Sequence, residues 1–145
     1  MRTSAQSYTD FIHKHRNDCL VLVVYVAEAH FVERGDSDEF VDGWPIGYSE
    51  FEYPQHKSIL DRMKMASIAM SGHLTFMREA DHILCDDMNN TFLNTMGAWP
   101  DGAYALIGQT LVFKGKIDGG VMYGGGYRKT LFSEQLDVFL NDNKY

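Results

Sequence analysis

Glu28 and His30 stand two residues apart at the end of an apolar run, residues 19–26, an acid and an imidazole close enough to share a proton. Alternate residues of an extended chain share a face. Extension through Ala29 would therefore set the two side chains side by side, the carboxylate orienting the ring and raising its basicity. Glu-x-His is a short pattern, and the spacing also describes two polar residues that simply meet solvent where a strand ends.

His56 is a second candidate. It opens residues 55–78, which read as helical, and the positive end of a helix dipole favours a neutral imidazole over imidazolium. A plain surface histidine is the alternative. His13 and His15 lie on a helix expected over residues 4–16, where a separation of two puts them on different faces. Solvated side chains follow for both, with no shared metal site. Asp86 and Asp87 could act as an acid/base pair, although capping of the helix that starts beside them accounts for one of them more simply. Cys19 and Cys85 sit in or beside apolar runs without CxxC spacing, so free thiols are expected, and a reducing compartment suits them.

Other patterns lack the spacing their chemistry requires. The acidic residues 33–39 do not place their oxygens, glycine and closing glutamate as a calcium loop does, and no metal site is expected. Gly119-Gly120 and Gly124-Gly125-Gly126 lack both the dinucleotide fingerprint and its strand-to-helix position. Asn89-Asn90-Thr91 matches a glycosylation acceptor, a tripeptide common enough to carry no weight.

The elements that must hold these residues are legible in outline. Residues 19–26 are valine-rich without alternation, which predicts a parallel strand covered on both faces. Residues 31–54 break into acidic and turn-forming residues and read as a long loop. In the following helix Ile59, Met63, Ala66 and Met70 form the predicted core stripe, with a second segment after Ser71-Gly72. Residues 82–86 predict a second parallel strand, followed by a short helix ending near Gly97. Residues 104–107 and 110–114 flank Gly108-Gln109 as an antiparallel hairpin, and residues 128–141 close the chain as an amphipathic helix.

One domain, residues 1–145, is expected from this length, and the 45% hydrophobic content suits a globular core. A formal charge of −7 opposes binding to nucleic acid or to an anionic membrane surface. No apolar run approaches the roughly 20 residues that span a bilayer, and the polar residues after Met1 are unlike a secretory leader. The chain as written reads as soluble.

The order of elements is that of an α/β, thioredoxin-like fold, a mixed sheet flanked by helices, from which a first strand is missing. In such folds a proline before the hairpin is commonly cis and faces the reactive chalcogen, which makes Pro100 the candidate. Several stretches together resemble the iodothyronine deiodinase family. They are Val24-Tyr25-Val26-Ala27-Glu28-Ala29-His30, Asp42-Gly43-Trp44, the residues around His56 from Gln55 to Arg62, Cys85-Asp86-Asp87-Met88-Asn89-Asn90, and Tyr104-Ala105-Leu106-Ile107 with Phe113-Lys114-Gly115. The resemblance implies an oxidoreductase that removes iodide reductively from an iodinated thyronine or a related halogenated phenol. A selenocysteine or cysteine attacks the iodine, and an external thiol reductant restores it. Glu28 and His30 then fall on the acid and imidazole beside the chalcogen, with His56 and Trp44 at the substrate. No bound cofactor is implied, and a homodimer is compatible with the family.

This sequence departs from the family pattern in several places. The chalcogen and the strand before it would lie upstream of Met1, so the reading is of a chain that begins after them, from a start codon placed beyond a UGA selenocysteine codon; a membrane anchor would lie upstream too. Without its central strand the 145-residue chain is expected to be poorly stable in isolation. Asp101-Gly102 replaces an arginine common after the proline, an acidic insertion separates His30 from Trp44, and Lys116 aligns only loosely as a substitute cation. Two other functions share the scaffold: a thioredoxin-like thiol peroxidase or reductase, and a binding relative without catalysis.

Overall fold

A computed structural model describes residues 2–43, 53–72, 74–99, 102–115 and 131–143. Trp44, Pro100 and Lys116 lie outside the described residues. The elements run α1 (Arg2–His15), β1 (Leu22–Tyr25), β2 (Val32–Arg34), β3 (Phe40–Gly43), α2 (Ile59–Ser71), a 3₁₀ helix (Thr75–Glu79), β4 (His82–Cys85), α3 (Thr91–Met96), β5 (Tyr104–Ile107), β6 (Thr110–Lys114) and α4 (Phe132–Asp142). This is the expected α/β order, in keeping with a thioredoxin-like fold. Among the described residues no helix is long and apolar enough to cross a membrane.

The expected mixed sheet consists, among the described residues, of three two-stranded pieces. β1 and β4 pair in parallel, Leu22 opposite His82 and Tyr25 opposite Cys85. β5 and β6 form the expected hairpin, slipping in register between Ala105 and Leu106. Gly108, at φ +60°, supplies the left-handed residue its two-residue turn demands.

Three expectations about the elements are corrected. The long loop is interrupted by the antiparallel hairpin β2–β3, with Glu33 opposite Asp42. Its strands are short and largely polar, so no apolar alternation announced them. The run containing β1 is not covered on both faces: Leu20 and Leu22 are exposed. On α2 the expected Ala66 is buried and Met70 packs against the core, but Ile59 and Met63 face outward, and Arg62 and Ala69 complete the buried stripe. The spacing i, i+4, i+7 was right in kind but rotated, because the residue that leads the buried face is a cation.

Ser58 starts α2, accepting a hydrogen bond from the Asp61 amide at 3.1 Å and donating to its carboxylate at 2.8 Å. Packing of α2 and the 3₁₀ helix on β1 builds the core around Tyr25, Ala66, Ala69 and Met77, bordered by Val23, Met65 and Cys85. Tyr8 of α1 stacks on Phe76 at 4.8 Å. α1 also meets α4, where the Ser7 and Ser133 hydroxyls lie 2.7 Å apart. His15 belongs to this contact and is 4% exposed, which corrects the view of both α1 histidines as solvated; of the two only His13 is exposed.

Candidate active site

The site grows from the exit of β1. Hydrogen bonding to β4 ends at Tyr25, whose carbonyl accepts the Asp86 amide at 2.9 Å, and the chain then turns. Glu28 and His30 are thus joined by the turn and not by strand alternation. One Glu28 carboxylate oxygen accepts the His30 backbone amide at 3.2 Å, and the other accepts the Tyr25 hydroxyl at 2.7 Å. Burial and the neighbouring Glu28 carboxylate push the Tyr25 phenol far above its ordinary value, so it stays a donor at any physiological pH.

Gln55 connects this turn to His56. Its side-chain oxygen accepts the amides of Glu28 at 3.1 Å and His56 at 3.2 Å, and its side-chain nitrogen donates to the Glu28 carbonyl at 2.9 Å. The Gln55 amide itself donates to Glu33 at 3.0 Å, so β2 braces the same junction. Residues 28–30 and 55–56 therefore move as one unit, although 25 residues separate them. The Tyr25 and His56 rings stand 5.7 Å apart, within the range of an aromatic contact.

His56 is 6% exposed, and its two nitrogens are treated differently. Nδ1 lies 3.4 Å from Nε of Arg62, and a guanidinium has only donors, so Nδ1 is the acceptor. Nε2 is buried with no hydrogen-bond partner among the described residues. Burial first, and the Arg62 charge second, hold the ring below the ordinary histidine value, overcoming the opposite pull of the Glu28 and Asp61 carboxylates. The neutral ring expected from the sequence is present, though burial and a buried cation explain it better than a helix dipole does. His56 also lines a cleft of about 360 Å³ with Tyr53, Pro54, Lys64, Met65 and Ile68. Lys57 and Asp61 line it as well, so the cleft combines apolar wall area with charged side chains of both signs.

Arg62, 2% exposed, was not singled out by the sequence. Its NH1 donates to the carbonyls of Asp86 at 3.0 Å and Asp87 at 2.6 Å, and its NH2 to the Asn90 side-chain oxygen at 2.9 Å. No carboxylate among the described residues pairs with it. The two aspartates instead cap α3: Asp86 accepts the amides of Phe92 and Leu93, both at 2.9 Å, and Asp87 accepts the Thr91 amide at 3.1 Å and hydroxyl at 2.7 Å. Tyr25 and Gln55 were likewise missed as site residues. Both lay inside quoted motifs, but nothing in their spacing marks the polar contacts that tie Tyr25 to Glu28 and Gln55 to Glu28, 27 residues away.

Neither cysteine is built as a nucleophile. Burial raises the Cys19 thiol, and the Asp18 and Asp81 carboxylates raise it further; burial raises Cys85 as well. Both are free thiols. No group of three or more metal-ligating side chains occurs among the described residues.

Comparison with known proteins bears on the same residues. The family model for iodothyronine deiodinase matches residues 2–128. Thyroxine 5-deiodinase of Ovis aries is 25% identical over 109 residues, which make up 75% of this chain and 32% of that protein. The Sus scrofa enzyme is 27% identical over the same length, covering 75% of this chain and 31% of its own. For the Homo sapiens enzyme the identity is 25%, again over 75% of this chain and 31% of that protein. The chain spans about a third of the length of the relatives it matches. Because the family match runs from the first helix past the β5–β6 hairpin and takes in Glu28, His30 and His56, the chain belongs to the iodothyronine deiodinase family.

Proposed function

We propose that this chain is the substrate-handling part of an iodothyronine deiodinase-like oxidoreductase, acting on an iodinated thyronine or a related halogenated phenol. The observation that carries this reading is His56: held below the ordinary histidine value, nine-tenths buried, lining the cleft and keeping Nε2 without a partner among the described residues. A neutral imidazole with its proton on Nε2 is a donor suited to a phenolic oxygen or an iodine lone pair, and it brings no further full charge into the cleft.

The chalcogen, selenocysteine or cysteine in a segment preceding Met1, would supply the nucleophile for iodine. Breaking the carbon–iodine bond leaves the electron pair on the ring carbon, which must take up one proton. Glu28 and His30 are the candidate source, because the carboxylate is anchored at the β1 exit by the Tyr25 hydroxyl and the His30 amide. A first external thiol then displaces iodide from the oxidised chalcogen, and a second takes the first away as a disulfide and restores the chalcogenolate. Gln55 keeps the proton-handling turn and the substrate-facing histidine in one frame. Trp44 as a further substrate contact, Pro100 as a cis proline and residues 1–145 as a single domain rest on the resemblance. A homodimer is part of the same reading.

The test is iodide release from an iodothyronine by the protein carrying its upstream segment, with a dithiol as reductant. His56→Asn should lower the rate about 100-fold or more, the scale of a lost positioned donor or acid–base group. A protein that reduces peroxide yet frees no iodide would replace this reading with the thiol peroxidase one. The upstream transcript gives an independent check: an open frame with a UGA codon agrees, and an in-frame stop with no chalcogen motif does not.

A further inference from the structure

We infer that Arg62 is the positioning residue that locks His56 as its Nε2–H tautomer, making this ring a hydrogen-bond donor at that nitrogen and barring it from acting as a base there. The inference rests on the reading that His56 serves the substrate. A neutral imidazole carries one proton and can place it on either nitrogen. Arg62 removes the choice, because its Nε–H points at Nδ1 and a guanidinium neither deprotonates nor accepts.

The guanidinium cannot turn away. Its NH1 is held by the Asp86 and Asp87 carbonyls and its NH2 by Asn90, so three acceptors at the start of α3 fix its plane. A planar fork held at its far end must present Nε–H along one direction, and that direction is His56. Asn90 sits at φ +56°, a left-handed conformation that asparagine tolerates and that brings its side chain to the guanidinium. Protonation of Nδ1 would set N–H against N–H beside a buried cation, so imidazolium is excluded by the same contact. Division of labour follows: His56 donates, and uptake or delivery of the ring proton falls to Glu28 and His30 at the other end of Gln55.

The decisive measurement is histidine ¹⁵N NMR of the full chain without substrate, with His56 assigned by the loss of its signals in H56N. The inference expects one tautomer, Nε2 protonated and Nδ1 bare, persisting as pH falls past 6.5, the ordinary histidine value. An Nδ1–H form, a mixture, or protonation at an ordinary histidine pH overturns it, and this holds even if no Arg62 variant folds. Arg62→Lys keeps a cation able to reach the carbonyls but loses the fork. If it folds, the inference expects a tautomer mixture, a kcat at least tenfold lower with KM little changed, and no further loss when combined with H56N. A folded R62K that keeps pure Nε2–H overturns it. Failure of the functional reading looks different: the tautomer is as expected while H56N still releases iodide at full rate.

Discussion

Among the described residues two histidines are buried, and they are built in opposite ways. His15, at the end of α1, has a carboxylate on each side: its Nε2 is 2.7 Å from Asp137 of α4 and its Nδ1 is 3.4 Å from Asp18. Its ring also packs on Phe11 at 4.9 Å. Every polar position is occupied, and what the ring accomplishes is to tie α1 to α4. His56 faces a cation on one nitrogen and, among the described residues, no partner on the other. Burial alone therefore does not distinguish a strut from a site. The sign of the neighbours and one uncommitted nitrogen do.

The sharpest way to break the contrast is to exchange the two losses. His56→Asn should cost about 100-fold or more in iodide release, whereas His15→Asn should leave turnover of the folded protein within about twofold, an amount worth under half a kcal/mol in the barrier. Parallel iodide-release and urea-unfolding measurements on both variants check this. A loss of turnover with H15N as large as with H56N would erase the distinction between them.

Next in size is Asp137→Asn. The carboxylate holds both Lys14 at 2.5 Å and His15 at 2.7 Å, and these hydrogen bonds, the Lys14 one first, keep its pKa below the usual range. The amide leaves one acceptor oxygen and no charge, so a loss of about 1–2 kcal/mol is expected, seen as a lower urea midpoint at unchanged slope. Iodide release should not respond. If it does, α1–α4 contact reaches the site, and His15 is more than a tie.

Why one histidine was legible and the other was not follows from how each is buried. The β1–β4 and β5–β6 strands and α1, α2, α3 and α4 were visible because continuous apolar runs, turn and capping residues, or apolar residues at helical spacing mark each of them. His15 was misplaced because its burial depends on Asp137, 122 residues away, and no local period encodes that. The turned stripe on α2 has the same origin: hydrophobic counting passes over Arg62, which is buried only because carbonyls of β4's exit and Asn90 await it. Glu28, His30 and His56 were found as motif residues. Their connection was not, since Gln55 acts through backbone amides and its spacing carries no period. The β2–β3 hairpin escaped because its strands are too short to show a period: Val32 is the lone apolar residue of β2, and Phe40 and Val41 are adjacent in β3.

A smaller effect separates the two histidines by pH. The folded-state pKa of His56 lies below the unfolded value of 6.5, so as pH falls below 6.5 the unfolded chain takes up a proton that the native chain refuses. More protons on the unfolded state mean that stability drops as pH falls, by at most about 1.4 kcal/mol per unit until the folded pKa is reached. The stability is fully present above 6.5. Asp61, Glu79, Asp87 and Asp137, all held below the usual carboxylate range, release their share only in more acidic solution. Urea midpoints of wild type and H56N measured from pH 7.5 to 5 should therefore converge on acidification. A wild-type midpoint no more pH-sensitive than that of H56N would mean the His56 ring charges freely, removing the basis of the contrast.

Tyr25→Phe should have the smallest effect and probes how far the His56 site extends. The hydroxyl donates to Glu28 at 2.7 Å, and the ring stands 5.7 Å from His56. Phenylalanine keeps the ring and the core packing but takes one donor from a half-buried carboxylate, which still holds the His30 amide. A single hydrogen bond of this kind is worth about 1 kcal/mol, so a comparable stability loss and a fall in iodide release of about fivefold are expected. Because the burial-raised phenol never ionises near neutrality, that fall should be the same from pH 6 to 8. If Y25F instead equals H56N in its loss, Glu28 and His56 act as one relay through the tyrosine. His56 would then not be a separate donor, and the boundary between proton handling and substrate binding would have to be redrawn at Tyr25 instead of Gln55.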